Sequence, residues 1–412
     1  MELSLIKNFI ELCNNIKNPF YRNSLYIALG RIADVGFGFV FWTVAARLYS
    51  ITDIGIATAL TSSLGLVMAF SRFGFDTTII RFMPNRDRRM VFNTTLWVTT
   101  VAALLVGIFY LVLITSISPD IAFLQDYSSL FILFVLANTA TLTISNTFLS
   151  LRRADLRLIQ NIIMGGRVLL LIPFVGLGAL GIFSSMGFAY IVSAALALIL
   201  VQKFLPIHFE ISKSYLKDTF QFSIFNYMAG LLQTLPTLVL PLLILNLLGP
   251  DDAALYFIAF AIGNLVLIIP DAMTTSFFVE GSHGINLRRA AMRTIRITYF
   301  LLIPIVLFIF FYGDSLLALF GPNYLNAFSL LRILCISAIF VTIFNLFIPI
   351  QNIRLQVQGV VLINLIKCVL LLGFSYLFLI HFGVIGAGYA WLFVYVILTG
   401  GILLIVKGKG WI

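Results

Sequence analysis

Twelve stretches of roughly twenty mostly apolar residues follow one another along the chain, each long enough to cross a bilayer as an α-helix. No other feature constrains the fold so strongly. In hydrocarbon every backbone N–H and C=O must find its partner inside the protein, and for runs of this length that means helices. The expected spans are residues 24–48, 54–75, 92–115, 128–150, 161–178 and 183–204, then 220–248, 253–272, 294–312, 327–350, 357–380 and 385–406. Charged residues make up 10% of the chain, against roughly 25% in an average soluble protein. The reading is an all-α integral membrane protein of twelve helices whose loops are too short to hold a soluble domain.

The distribution of charge gives an orientation. With the N-terminus inside, twenty Lys and Arg residues fall on cytoplasmic segments, while Arg47 is the one base outside. Six acids accompany it there: Asp53, Asp120, Asp126, Asp251, Asp252 and Asp314. This is the positive-inside bias. It accounts for the net charge of +10 without nucleic acid, and it places both termini in the cytoplasm.

The chain also repeats itself. ARLYSITDIGIATAL at 46–60 aligns with LNLLGPDDAALYFIAFA at 245–261, and Arg88-Arg89 aligns with Arg288-Arg289. Six helices per copy is an even number, so the halves are parallel repeats, the arrangement in which two bundles rock about a central site. The expected organisation is an amphipathic surface segment at 1–23, a first lobe at 24–210 and a second at 211–412. Leu3, Ile6, Phe9, Ile10, Cys13 and Ile16 recur at helical spacing in that first segment, and it lacks the compact apolar core and cleavage site of a signal peptide.

Several chemistries find no support. There is no GxxxxGK[ST] phosphate cradle for a nucleotide-driven pump. Cys13, Cys335 and Cys368 are scattered, with no zinc, haem or redox spacing. His208, His283 and His381 lie far apart and read as ordinary loop histidines. No catalytic residue, metal site or cofactor is expected. A membrane glycosyltransferase or polymerase is a distant alternative, since no large outer loop carries acids and bases.

Charges inside spans are costly in lipid and usually face a watery cavity or a partner. Arg31, Arg72, Arg167, Arg332 and Lys367 are the bases so placed, and Asp34 is the acid well inside a span. At about 1.5 Å per residue, Lys367 lies roughly 15 Å into its helix, and Arg31 and Arg167 lie about 10 Å in. Two readings stand for each. Arg31 with Asp34 (i,i+3) and Arg72 with Asp76 (i,i+4) have the spacing of pairs on one helix face, and Arg167 and Arg332 are able to snorkel. Alternatively the bases line a cavity for an anionic cargo, which arginine suits through its planar fork. Asn138, Asn226, Gln233 and Asn264 add groups suited to sugar hydroxyls or to interhelical bonds. Asn93-Thr94-Thr95 matches a glycosylation sequon at the inner face, where glycans are not added. Pro236 and Pro241 are expected to bend the seventh helix, as a fixed shape or as a hinge.

RLYSITDIGIATALTSSLGLVMAFSRFGFDTTIIRFMP resembles the first hairpin of prokaryotic polysaccharide-biosynthesis flippases, the lipid-linked oligosaccharide exporters of the multidrug/oligosaccharidyl-lipid/polysaccharide superfamily. LLGPDDAALYFIAFAIGNLVLIIPDAMTTSFFVEGSHG and LFGPNYLNAFSLLRIL resemble later parts in order. The resemblance implies a non-enzymatic carrier in the cytoplasmic membrane, with two lobes around a cavity that opens alternately to each side. Its cargo would be an oligosaccharide on a polyprenyl phosphate or pyrophosphate, and its partners membrane lipid and glycan-assembly proteins. The candidate cargo residues are Arg31, Asp34, Arg167, Lys367, Asn226 and Asn264. A cation-coupled multidrug exporter shares the architecture, but bases outnumber acids within the spans, which favours an anionic cargo.

Overall fold

A computed structural model describes residues 19–282, 287–354 and 356–408. Most of the expected amphipathic segment, and His283, lie outside them. Helix α1 (Pro19–Leu48) leads through Tyr49 and Ser50 into α2 (Ile51–Ser71). Ser50 caps α2: its hydroxyl accepts the Asp53 backbone N–H at 3.1 Å and donates to the Asp53 carboxylate at 2.6 Å, satisfying groups the first turn leaves open. A break follows at Gly74, whose φ of 76° is left-handed, and α3 (Phe75–Phe82) begins there. The first half continues through α4 (Arg88–Ile117), α5 (Ser128–Ser150), α6 (Ala154–Gly165), α7 (Arg167–Leu170) and α8 (Ala179–Gln202). The second half comprises α9 (Lys213–Leu248), α10 (Pro250–Val266), α11 (Ile268–Ser282) and α12 (Leu287–Ala318), then α13 (Phe328–Ile353), α14 (Val357–Phe382) and α15 (Ile385–Gly408).

The repeat reappears in these boundaries. Arg88 and Leu287 open equivalent helices, as do Ser128 and Phe328, Ala154 and Val357, and Ala179 and Ile385. Even the 3-10 turns Pro119–Gln125 and Pro322–Ala327 correspond. The chain is an all-α integral membrane protein built from two like halves. Among the described residues ten segments are long and apolar enough to span a membrane, and the count is eleven if α10 and α11, bent by 40° at a break at Leu267, are taken together as one span.

The expected span at 161–178 is not one helix. It is divided among the end of α6, the four residues of α7 and a 3-10 turn at Val175–Leu177. Gly165 and Gly166, Pro173, Gly176 and Gly178 supply the breaks, and Gly178 has a φ of 55°. Its counterpart α14 contains no proline and runs unbroken. Helix α9 is continuous through both Pro236 and Pro241, and His381 occupies the last turn of α14 rather than a loop.

The chain folds as two compact units. The first contains the described residues up to Val44, Phe70–Val112 and Leu124–Ile224; the second contains Ala45–Ala69, Leu113–Phe123 and Phe225–Ile412. In the first, α5 packs on α8 and α6. Gly187 allows this, since a Cβ there would run into the Phe134 ring, and small residues at such crossings are what permit close packing in lipid. A second core joins Phe75, Ile79, Phe92, Phe148 and Tyr215. Segment 203–212, between the halves, is fastened to α4: Asn93 accepts the His208 N–H at 3.1 Å, and Trp97 Nε1 donates to the His208 carbonyl at 2.9 Å. The sequon asparagine is therefore a fully buried structural residue. Arg153 holds the Asp155 carboxyl below the usual range through a hydrogen bond of 2.7 Å.

In the second unit α13 is the central helix, touching α10, α11, α12 and α15. It is the repeat counterpart of α5. At one end of this unit Thr52 donates to Asp251 at 2.7 Å, beside the crossing of α2 and α10. There Gly55 lies against the Pro250 carbonyl so closely that no Cβ fits.

The orientation has a direct check. Cysteines introduced at the exposed positions Asp120 and Asp314 are expected to react with a membrane-impermeant thiol reagent on intact cells, and those at Arg88 and Arg288 are not. Cys335 and Cys368 are buried, which lowers the background. Labelling at Arg88 or Arg288 in sealed cells would invert the assignment.

Candidate cargo site

In the first unit α1 and α6 bring four polar residues together. Asn161 on α6 donates through Nδ2 to the Asp34 carboxylate at 3.0 Å and to the Gly30 carbonyl at 3.2 Å. The helices meet this closely because Gly165 faces Phe37, where a Cβ would stand 2.5 Å from the ring. Among the described residues no ion pair joins Arg31 to Asp34, so the i,i+3 pairing is replaced by an amide from another helix. Arg157, one turn before Asn161, lies within electrostatic reach of both Arg31 and Asp34. The cluster thus carries two positive charges close to one negative charge.

Arg167 stands at the break between α6 and α7. Its guanidinium carbon is 5.0 Å from the Phe41 ring centroid, a cation–π distance. Its Nε is buried with no hydrogen-bond partner. A buried donor left unpaired is unfavourable, and arginine has no neutral form to retreat to.

The second unit treats its bases differently. Lys367, 4% exposed, donates to the Gln233 carbonyl of α9 at 3.0 Å and lies 5.5 Å from the Phe344 ring. One turn away on α14, Asn364 donates to the Ala229 carbonyl at 3.2 Å. These two side chains fasten α14 to the turns of α9 that precede Pro236. Asn226 and Asn264 are exposed on α9 and α10. Arg332 donates to the Phe310 carbonyl at 2.8 Å and stacks 3.9 Å from Phe328, so it ties α13 to α12. Arg72 and Asp76 form an ion pair at 3.5 Å. Asp271 on α11 accepts from Asn345 of α13 at 2.9 Å.

The family model described as polysaccharide biosynthesis protein matches residues 20–279, more than half of the chain. The chain belongs to this family. Solved structures add the fold. An inward-facing multidrug resistance MATE family transporter of the MOP superfamily is similar with a TM-score of 0.68 at 16% identity, covering 94% of this chain and 98% of its own. A MATE protein in the bent conformation gives 0.64 at 16% identity, with 97% and 96% covered. A MOP superfamily transporter from Pyrococcus furiosus gives 0.60 at 15%, with 94% and 95% covered. No curated protein matches significantly. The polysaccharide biosynthesis protein is thus a multi-pass membrane protein with a transporter fold. Of its candidate residues, Asp34, Arg31 and Arg167 lie along α1 and the α6–α7 break of one unit, joined by Arg157 and Asn161. The Lys/Arg bias counts Arg157 among the twenty cytoplasmic bases. Its place one turn from Asn161 on an apolar helix is the signal that would have found it.

Proposed function

We propose that this polysaccharide biosynthesis protein is a flippase, moving a lipid-linked oligosaccharide on a polyprenyl phosphate or pyrophosphate across the cell membrane by alternating access. One observation carries the reading. Arg167 is a permanent charge with a buried, unpartnered donor, in a unit where Arg31 and Arg157 outnumber Asp34. Such a site carries more positive than negative charge, and a phosphate would balance it with the geometry that the guanidinium fork recognises. The family match supports a polysaccharide precursor as cargo. The two lobes expected at 24–210 and 211–412 would supply the rocking bodies, with Pro236 and Pro241 as candidate hinge points.

A cation-coupled multidrug exporter is the second reading, favoured by the likeness to MATE transporters. One reconstitution separates the two. Proteoliposomes containing the purified chain are loaded with a fluorescent polyprenyl-diphosphate disaccharide, and its transfer between leaflets is followed by accessibility to a membrane-impermeant quencher. Transfer well above protein-free vesicles is expected, with no dye efflux under an imposed Na+ or H+ gradient. Gradient-driven efflux of a cationic dye without transfer of the saccharide lipid would reverse the assignment.

A further inference from the structure

We propose that a cavity within the second unit, where α13 ends and α14 begins, binds an uncharged saccharide through Gln351, Gln356 and Gln358. The inference rests on the flippase reading and extends it to the sugar part of the cargo. The cavity measures about 790 Å³, within the range of about 300–1,000 Å³ usual for small-molecule sites. Three glutamines supply polar side chains to its lining.

The residue types define the ligand. A glutamine amide presents an acceptor oxygen and two N–H donors, so three of them match hydroxyl groups that both donate and accept. Phe225 and Phe347 add ring faces to the lining, and Leu362, Ile363 and Ile366 a strip of aliphatic surface. A pyranose has the same mixture, with hydroxyl groups at its rim and C–H groups on its faces. A purely hydrocarbon occupant would leave the amides without partners, which is unfavourable.

The backbone shows that the site is built. Gln351 is 5% exposed. Between α13 and α14 the Gln356 N–H donates to the Gln351 carbonyl at 2.9 Å and the Gly359 N–H donates to the Gln356 carbonyl at 3.0 Å. Gly359 faces the Gln351 amide, and a Cβ there would come within 3.2 Å of Oε1. The surroundings differ in kind from the arginine cluster of the first unit. The nearby Arg354 and Lys407 belong to the end that the Lys/Arg bias assigns to the cytoplasm, the side on which the cargo would be loaded.

The test uses the purified full chain in lipid nanodiscs and two photoreactive probes with the same diazirine-bearing alkyl chain. One carries a maltose head and the other a phosphocholine head. Saturable labelling by the maltoside is expected on the peptide from 356 to 366. Excess unlabelled dodecyl maltoside should displace it at least tenfold more effectively than dodecylphosphocholine. The double variant Gln351→Leu/Gln358→Leu should weaken the apparent affinity at least tenfold. Gln358→Leu alone, at an exposed position that keeps the fold, should weaken it in part. Equal displacement by the two detergents would identify a lipid crevice and overturn the proposal, and so would unsaturable labelling. Leaflet transfer by the same variants keeps the two readings apart. Head-selective labelling without transfer would refute the flippase and leave the saccharide site, whereas transfer with no head selectivity would do the opposite.

Discussion

Leucine in place of Arg167 is expected to cut transport of a phosphate-linked cargo while insertion and expression stay at the parental level. Hydrogen bonds to charged groups are worth about 1.5–3 kcal/mol. With a factor of ten for about every 1.4 kcal/mol, the initial rate at low cargo should fall about ten- to a hundredfold. Leucine removes both the guanidinium, whose carbon lies 5.0 Å from the Phe41 ring centroid, and the unpartnered donor. A purely structural Arg167 would then lose little, or would even become more stable. Lysine retains the charge without the planar fork, so it should recover part of the rate. The measurement is initial leaflet transfer per mole of protein, titrated against cargo, and parental rates for Arg167→Leu would remove it from the site. Arg31 needs a paired design. Because Asn161 holds Asp34 at 3.0 Å, Arg31→Leu should leave the bundle folded and still slow transport. Full rescue on adding Asp34→Leu would mean that Arg31 only balanced that charge.

Alanine at Gly55 should produce the largest loss of stability. A Cβ at this position would overlap the Pro250 carbonyl group, which is backbone and cannot rotate away. Overpacking of this kind costs about 1–3 kcal/mol and occasionally more, and a clash with backbone belongs at the upper end. Gly36 provides the contrast, since nothing lies within 4 Å of a Cβ built there. Gly36→Ala should be neutral, or should stabilise by up to about 1 kcal/mol through helix propensity. Thermal unfolding of both variants in the same detergent tests the pair. Equal midpoints for Gly55→Ala and the parent would show that α2 and α10 can slide apart freely.

The features legible in the sequence were those that follow from solvent and spacing. Apolar runs of span length gave the helices, because lipid allows little else, and the alignment of Arg88 with Arg288 located the repeat that the helix starts display. The punctuation at Gly165, Gly166, Pro173 and Gly178 was also present, but their combined effect on one span outweighs an apolar average that counts each residue separately. Partner choice was not legible. Arg31 and Asp34 have the spacing of a pair, yet Asn161, 127 residues away in sequence, takes the carboxylate. Lys367 looked like a lone charge until α9 supplied the Gln233 carbonyl. Such pairings depend on which helices become neighbours, and periodicity within a helix does not contain that information.

The close fit of α2 on α10 has a consequence for how the protein is made. Gly55 and Pro250 are 195 residues apart in sequence. At roughly 5–20 residues per second of synthesis, α2 waits about ten to forty seconds for the helix it is shaped to meet. Its glycine face is covered by lipid or by an insertion factor during that interval. The chain returns to the first unit at Phe70, so α2 must be held in place from both ends before its own partner exists. A chain released early, anywhere before Pro250, would carry a spanning helix with no seat, and quality control in the membrane would have a clear feature to recognise.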